Sequence, residues 1–233
     1  MHTETPWPGR VLVTGGASGL GAAVVDAVLQ AGGTPVVLDR DISAVSAVKA
    51  FEVDVADRLA VEHAVREAAE SLGGLEAVVT AAGIDRCGKL ADVDAGEWEK
   101  VIGVNLLGTV SVVRAALPYL MESRGRVVTV ASTLGKRAVA DATAYCASKF
   151  GVVGFSHALA AETGGRIGVT TMIPGGMNTH FFDDRTEQYK PQDDSRLNSP
   201  GNVAQAILFV LSQPPGCEVR EMLICHAEEG SWP

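Results

Sequence analysis

Tyr145 and Lys149 stand four residues apart in the segment AYCASKFG. On a helix, residues i and i+4 share a face, so a phenol and an ammonium project together. A free phenol has a pKa of about 10 and is a poor base at neutral pH, but a neighbouring ammonium stabilises the phenolate and lowers that value. The pair predicts proton transfer to or from a substrate oxygen. Ser132 follows the apolar run VVTVA, where a hydroxyl can hold a carbonyl or alcohol oxygen beside Tyr145. Tyr and Lys also meet at this spacing on solvated helix faces, so the pair acquires meaning only with a second motif.

That motif is Thr14-Gly15-Gly16-Ala17-Ser18-Gly19-Leu20-Gly21, set between an apolar run and an Ala/Val-rich segment. Gly15, Gly19 and Gly21 allow a tight exit from a strand, close approach to phosphate and close helix-strand packing. The helix N-terminus offers N–H groups to a pyrophosphate. A glycine pattern alone also fits a turn without a ligand. Here Asp39 ends the next apolar run, VVLD; a carboxylate there accepts from the adenosine ribose hydroxyls and repels a 2′-phosphate, favouring NAD over NADP. Arg40 argues the other way, because a guanidinium can receive a 2′-phosphate, yet Ser18 gives the turn no second basic group. A dinucleotide cradle plus a Tyr/Lys pair predicts hydride transfer involving an alcohol or ketone.

The elements that position these groups follow from apolar patterning. Short Val-rich runs near 10–14, 35–39, 50–53, 76–81, 126–131, 167–173 and 219–224 read as strands. Amphipathic segments near 19–31, 57–72, 94–121, 143–163 and 202–212 read as helices, with a further short one near 42–48. Alternation of this kind predicts an α/β fold: one Rossmann-type domain over 1–233, with a doubly wound, seven-stranded parallel sheet. The stretch 178–201 is polar and broken by Asp, Asn and Pro, which predicts a substrate lid. In it and beside it, Met172, Met177, Phe181, Phe182 and Tyr189 offer apolar contact, and Asp183, Asp184 and Arg185 a polar exterior.

A chain of 233 residues with 47% hydrophobic residues can bury one substantial core. Its mean hydropathy of +0.19 fits a sheet covered on both faces. A net charge of −9 argues against nucleic acid or an anionic membrane as partner. Cys87, Cys146, Cys217 and Cys225 show neither a disulfide framework nor metal-ligand spacing, so no metal is expected. With no unbroken apolar span and no apolar segment in MHTETPWPGR, the expectation is a cytoplasmic protein.

Together these residues resemble the short-chain dehydrogenase/reductase family, in its compact branch, over nearly the whole chain. The glycine turn matches that branch's cofactor motif, Asp54-Val55 its adenine contact, Asn105 in VNLLG its asparagine, and Ser132, Tyr145 and Lys149 the rest of its catalytic set. Ala82 and Gly83 follow the fourth strand, and Pro174-Gly175 with Thr179 matches the segment along the nicotinamide. The resemblance implies that Tyr145 is the acid/base, that Ser132 orients the substrate oxygen, and that Lys149 binds the nicotinamide ribose and lowers the tyrosine pKa. Asn105 would hold a water in a proton relay. Two departures stand out. Ala81 replaces an asparagine that helps tie the central sheet together, and the tail EVREMLICHAEEGSWP lacks the usual close.

The reading is thus an NAD-dependent oxidoreductase for a small or medium secondary alcohol or ketone, working in the oxidative direction. An NADPH-dependent carbonyl or 3-oxoacyl-thioester reductase is the alternative that Arg40 keeps open; a non-catalytic dinucleotide-binding regulator is the alternative of another class. The resemblance also implies a homotetramer or homodimer, for which small residues on 143–163 (Ala144, Ala147, Ala158, Ala161) allow close helix approach, as burial within one subunit also would. Asp85, Arg86 and Lys89 fit either a polar substrate contact or an exposed turn. Cys146 reads as a small packed residue, and His180 as a surface loop histidine.

Overall fold

The structure, a computed structural model, describes residues 8–230 and Trp232. The amino-terminal residues 1–7, read above as lacking a targeting segment, lie outside the described residues. Seven strands, β1 (Arg10–Thr14), β2 (Thr34–Asp39), β3 (Lys49–Glu52), β4 (Ala77–Thr80), β5 (Arg126–Val130), β6 (Gly168–Pro174) and β7 (Glu221–Ile224), form one sheet. Its order is β3-β2-β1-β4-β5-β6-β7, and every pair is parallel. The chain winds outward from β1 to β3, then crosses back to β4 and winds the other way, so the order reverses between β1 and β4. In such sheets ligands bind beyond the carboxyl ends of the strands at that point.

Among the described residues six α-helices cover the sheet: α1 (Gly19–Gln30), α2 (Arg58–Leu72), α3 (Ala95–Ile102), α4 (Thr109–Ser123), α5 (Thr143–Thr163) and α6 (Pro200–Leu211). Because side chains alternate along a strand, each strand feeds two cores. Val11 and Val13 of β1 pack with Val24 and Val28 of α1 and Val203 and Ile207 of α6. Leu12, between them, packs on the other face with Val61 and Val65 of α2, Val112 and Ala116 of α4, and Leu159 of α5. Burial on both faces explains why the five inner strands read as unbroken apolar runs.

Three expectations need correction. The helix expected over 94–121 is interrupted: Gly103–Gly108 forms a π-helical turn between α3 and α4. One extra residue enters the helical ladder there, and the apolar period does not report it. The stretch 42–48 is not helical; Asp41 caps the amide of Ser43 at 2.9 Å, which favours a turn over a helix. Met172 is not at the ligand edge but fully buried in the α1/α6 core, since its β6 position pairs with Val130 and Met222.

The helical stretch Ala95–Ser123, 29 residues with a mean hydropathy of 1.6, is long and apolar enough to cross a membrane by composition. Its Val101, Val112, Val113, Ala116 and Leu120 are instead buried within the domain.

Candidate functional site

The starts of the helices differ in one respect that bears on ligands. Asp57 caps α2, Asp94 caps α3 and Ser199 caps α6, each with side-chain oxygens on the first free amides. Ser18 at the start of α1 makes no such bond, and the first turn of α1 carries no acidic residue. Its amides therefore face a cleft of about 410 Å3 with the positive end of the dipole unopposed. Gly15 sits at φ +69°, and a Cβ there would lie 2.8 Å from the backbone of Ala82; on Gly21 it would lie 2.0 Å from the Gly15 carbonyl. Only glycine permits the turn to close this tightly under a pyrophosphate. The donor set and the cradle fit a dinucleotide.

Every residue expected to touch a dinucleotide, from Gly15 to Thr179, lines this cleft. Asp39 stands at the end of β2 with Oδ2 accepting from the Ala17 amide at 2.9 Å, so its carboxylate is braced over the glycine turn. Arg40 is exposed on the cleft rim and makes no ion pair or hydrogen bond among the described residues. Asp54 accepts from the Ala56 amide at 2.9 Å, and Val55 packs against Gly108 of the π-helical turn. Where Ala81 lacks an amide side chain, Thr14 Oγ1 accepts from the Ala82 amide at 3.2 Å and joins β1 to the end of β4. Across the cleft, a Cβ on Gly19 would lie 3.5 Å from Thr179, so the segment 178–201 reaches back over the glycine turn.

At the opposite wall, α5 presents Tyr145 and Lys149, which are 8% and 5% exposed. The Lys149 Nζ donates to the Val130 carbonyl at 2.9 Å and lies 5.6 Å from the Tyr145 ring centroid. Burial lowers the Lys149 pKa to about 8, with Asp85 pulling it back up. Burial also pushes the Tyr145 phenol well above its ordinary range; a hydrogen bond with Ser132 opposes this and the Asp85 charge reinforces it. Burial thus has the largest influence on the phenol, and the Lys149 ammonium is turned to the Val130 carbonyl. The Ser132 Oγ also accepts from the Leu134 amide at 3.1 Å.

Asn105 is fully buried in the π-helical turn. Its Oδ1 accepts from the Ile84 amide at 2.8 Å, and its Nδ2 donates to the Ile84 carbonyl at 2.9 Å and to Ser148 Oγ at 3.0 Å. Its side chain thus ties the loop after β4 to α5. Thr109 Oγ1 donates to its carbonyl at 2.8 Å. Neither Asn105 nor Ser132 lines the cleft itself; both act one layer behind Tyr145 and Ile84. Ser148, which also donates to the Tyr145 carbonyl at 2.8 Å, was not foreseen, because a serine inside a helix carries no sequence signal of its partners.

Further residues were missed or left open. Asp85 is buried and pairs with Arg185, which stacks over Phe181 and Phe182, while Phe181 packs 5.7 Å from the Tyr145 ring. Arg86 pairs with Glu97 at 2.5 Å, and Lys89 is exposed outside the cleft. In the atypical tail, Glu229 Oε2 accepts from the Gly176 amide at 2.8 Å, just after Pro174-Gly175. Tyr189 faces away from the cleft, donating to Asp141 at 3.1 Å. No cluster of three metal-ligating side chains occurs among the described residues.

Residues 10–190 match the short chain dehydrogenase family. The chain belongs to that family. A curated relative, an oxidoreductase of Staphylococcus aureus strain MW2 described as uncharacterized, is 31% identical over 226 residues, covering 91% of this chain and 95% of that protein. An alcohol dehydrogenase from the archaeon Thermococcus sibiricus, solved with 5-hydroxy-NADP, superposes with a TM-score of 0.86 over 94% of this chain and 97% of its own, at 21% identity. The ligand-free aldohexose dehydrogenase of Thermoplasma acidophilum superposes at 0.83 over 92% of each chain, at 23% identity. At these identities the superpositions show a shared fold. Family and fold imply a nicotinamide dinucleotide, and an oxidoreductase acting on CH–OH groups.

Proposed function

We infer that this short-chain dehydrogenase oxidises a small or medium secondary alcohol with NAD, using Tyr145 as the proton-transfer group. The observation that carries the reading is the placement of Tyr145 on the cleft wall, hydrogen-bonded to Ser132 and beside Lys149, with Asp39 braced over the glycine turn. A bound nicotinamide supplies the hydride acceptor. The free amides at the start of α1 hold the pyrophosphate, and Asp39 accepts from the ribose hydroxyls and repels a 2′-phosphate. Lys149 donates to the nicotinamide ribose. Tyr145 Oη, having first given its own proton to solvent, takes the alcohol proton, while Ser132 Oγ holds the Tyr145 oxygen from one layer behind and Asn105 keeps the Ile84 wall and α5 in register. Residues 178–201 act as a lid: Phe181 covers Tyr145 and Thr179 reaches the glycine turn.

Replacing Tyr145 by Phe is expected to lower turnover by at least about a thousandfold with NADH binding intact. Unchanged turnover in that variant would overturn the role given to Tyr145, whereas cofactor binding without turnover in the wild type would point to a regulator. Carbonyl reduction with NADPH is a second reading, favoured by the unpaired Arg40 and by the burial that keeps Tyr145 protonated as a proton donor. Turnover measured with NAD and NADP at equal concentration decides between the two. Assembly as a homotetramer or homodimer is supported by an exposed stripe on α5, Ala147, Phe150, Gly154, Ala158 and Ala161. Sedimentation of wild type and Gly154→Arg tests it, and a sedimentation coefficient of a monomer in the wild type rejects it. A cytoplasmic location rests on the reduced cysteines and the acidic composition.

A further inference from the structure

The cleft contains a buried ion pair that the proton-transfer chemistry does not use. Asp85, from the loop after β4, and Arg185, from the lid, lie 100 positions apart and meet through Arg185 Nη2 and Asp85 Oδ2 at 2.5 Å. The pairing is single-pronged although both groups are forks: Asp85 Oδ1 and Arg185 Nε are sealed from water and have no partner among the described residues. The Asp85 side chain is only 2% exposed. Buried polar atoms are almost always paired, and leaving one unpaired is costly, more so for charged groups. One spare acceptor and one spare donor therefore stand a single bond angle from either end of the ion pair.

We propose that this pair is the substrate-recognition element of the cleft, and that it selects an alcohol carrying at least one further hydroxyl group, or the corresponding hydroxy-ketone. The inference rests on the oxidoreductase reading above and adds the substrate class. A hydroxyl both donates and accepts, so a single one satisfies Asp85 Oδ1 and Arg185 Nε together. A substrate carboxylate or phosphate only accepts and meets a carboxylate oxygen; an ammonium only donates and leaves Nε unpaired. An alkyl group satisfies neither. Site groups built to pair with a hydroxyl discriminate strongly against analogues that lack it, because they then stay buried and unpaired.

The pair is also in the right place. Asp85, Arg185, Phe181 and Tyr145 all line one cleft. The Phe181 ring lies 5.7 Å from the Tyr145 ring and 5.7 Å from the Arg185 guanidinium carbon, while Phe182 lies 4.6 Å from that carbon. The Phe181 ring thus adjoins both the group that moves the proton and the guanidinium that reads the second hydroxyl. Because Oδ1 and Nε are sealed as the lid stands, a substrate hydroxyl reaches them only when Arg185 and its aromatic neighbours shift.

The test compares kcat/KM, with either cofactor saturating, for butan-2-ol against butane-2,3-diol and erythritol, and for hexan-2-ol against hexane-2,5-diol and D-glucitol. The expected result is a preference of at least about tenfold for the best hydroxylated substrate over its mono-alcohol, and a fall of about tenfold in that ratio in Asp85→Asn and in Arg185→Met. Each variant is first matched to wild type for NADH binding by fluorescence; where binding is lost, Asp85→Glu and Arg185→Lys take their place. Equal or better turnover of the mono-alcohols overturns the inference. So does a variant that loses both substrate classes in equal proportion, which is the behaviour of a pair that only fastens the lid. No turnover of any alcohol or ketone with either cofactor overturns the oxidoreductase reading itself, and the substrate class falls with it.

Discussion

The two halves of the cleft are made of different material. Along β1, α1 and β2 the wall is main chain: free amides at the start of α1, a carboxylate braced on Ala17, and glycines where a Cβ would collide with backbone. Along α5 and residues 178–201 the wall is side chains brought together from afar, such as Asp85 with Arg185, or Glu229 on Gly176 across 53 positions. A site made of backbone leaves a local signature, because a small residue is needed wherever chain approaches chain. A site made of side chains leaves only residue types, and the pairing exists only once the fold does.

The largest break is expected on the backbone side. Gly15→Ala forces a positive φ on a residue with a Cβ and drives that carbon to 2.8 Å from Ala82. Left-handed strain and overpacking together should cost about 2–4 kcal/mol, seen as a lower melting temperature and weaker NADH binding. Unaltered stability and affinity would show that this half is not held by backbone contact. Next in size, Asp39→Ser removes the braced carboxylate and is expected to lower the NAD-over-NADP ratio of kcat/KM by about 10- to 100-fold, an effect of about 1–3 kcal/mol. A constant ratio would mean that Arg40 already governs the choice.

On the side-chain half, Lys149→Met should separate stability from function. Moving a lysine from 10.5 to about 8 by burial corresponds to about 3 kcal/mol of disfavoured charge. Against this stands the lost bond to Val130, about 1 kcal/mol. The cofactor-free variant is therefore expected to unfold about 1–2 kcal/mol later at pH 7, while turnover collapses. The folded pKa lies below the unfolded one, so the unfolded chain binds more protons between pH 8 and 10.5. Wild-type stability relative to the variant should rise through that window; chemical denaturation at pH 7 and pH 10 measures it, and a gap that fails to narrow would place the ammonium in water. The smallest effect is expected at Glu229. Removing its single bond to Gly176 in Glu229→Ala should cost about 1 kcal/mol and raise KM for cofactor severalfold, with Glu229→Gln restoring most of it.

The same contrast explains what was legible in the sequence. All seven strands were readable, the five inner ones because burial on both sheet faces writes continuous apolar runs, and the helices that begin the βα units were readable from their amphipathic periods. The cofactor wall was readable for its glycines. The π-helical turn was not, since Gly103–Gly108 keeps an apolar helix-like composition while Asn105 bonds to a loop 21 positions earlier. Nor was the role of Met172, whose apolar character suits a lid and a core equally. Asp85 was visible as an acid at the ligand edge, but its partner lay in the one stretch without periodicity.

The bond between Glu229 and Gly176 makes the segment after β7 a clasp on the loop that follows β6. A nick or an insertion between Ile224 and Glu229 releases that clasp while leaving every group of the cleft in the chain. Rates measured after such a change are expected to report how far the loop beyond β6 needs to be held, separately from the chemistry it borders.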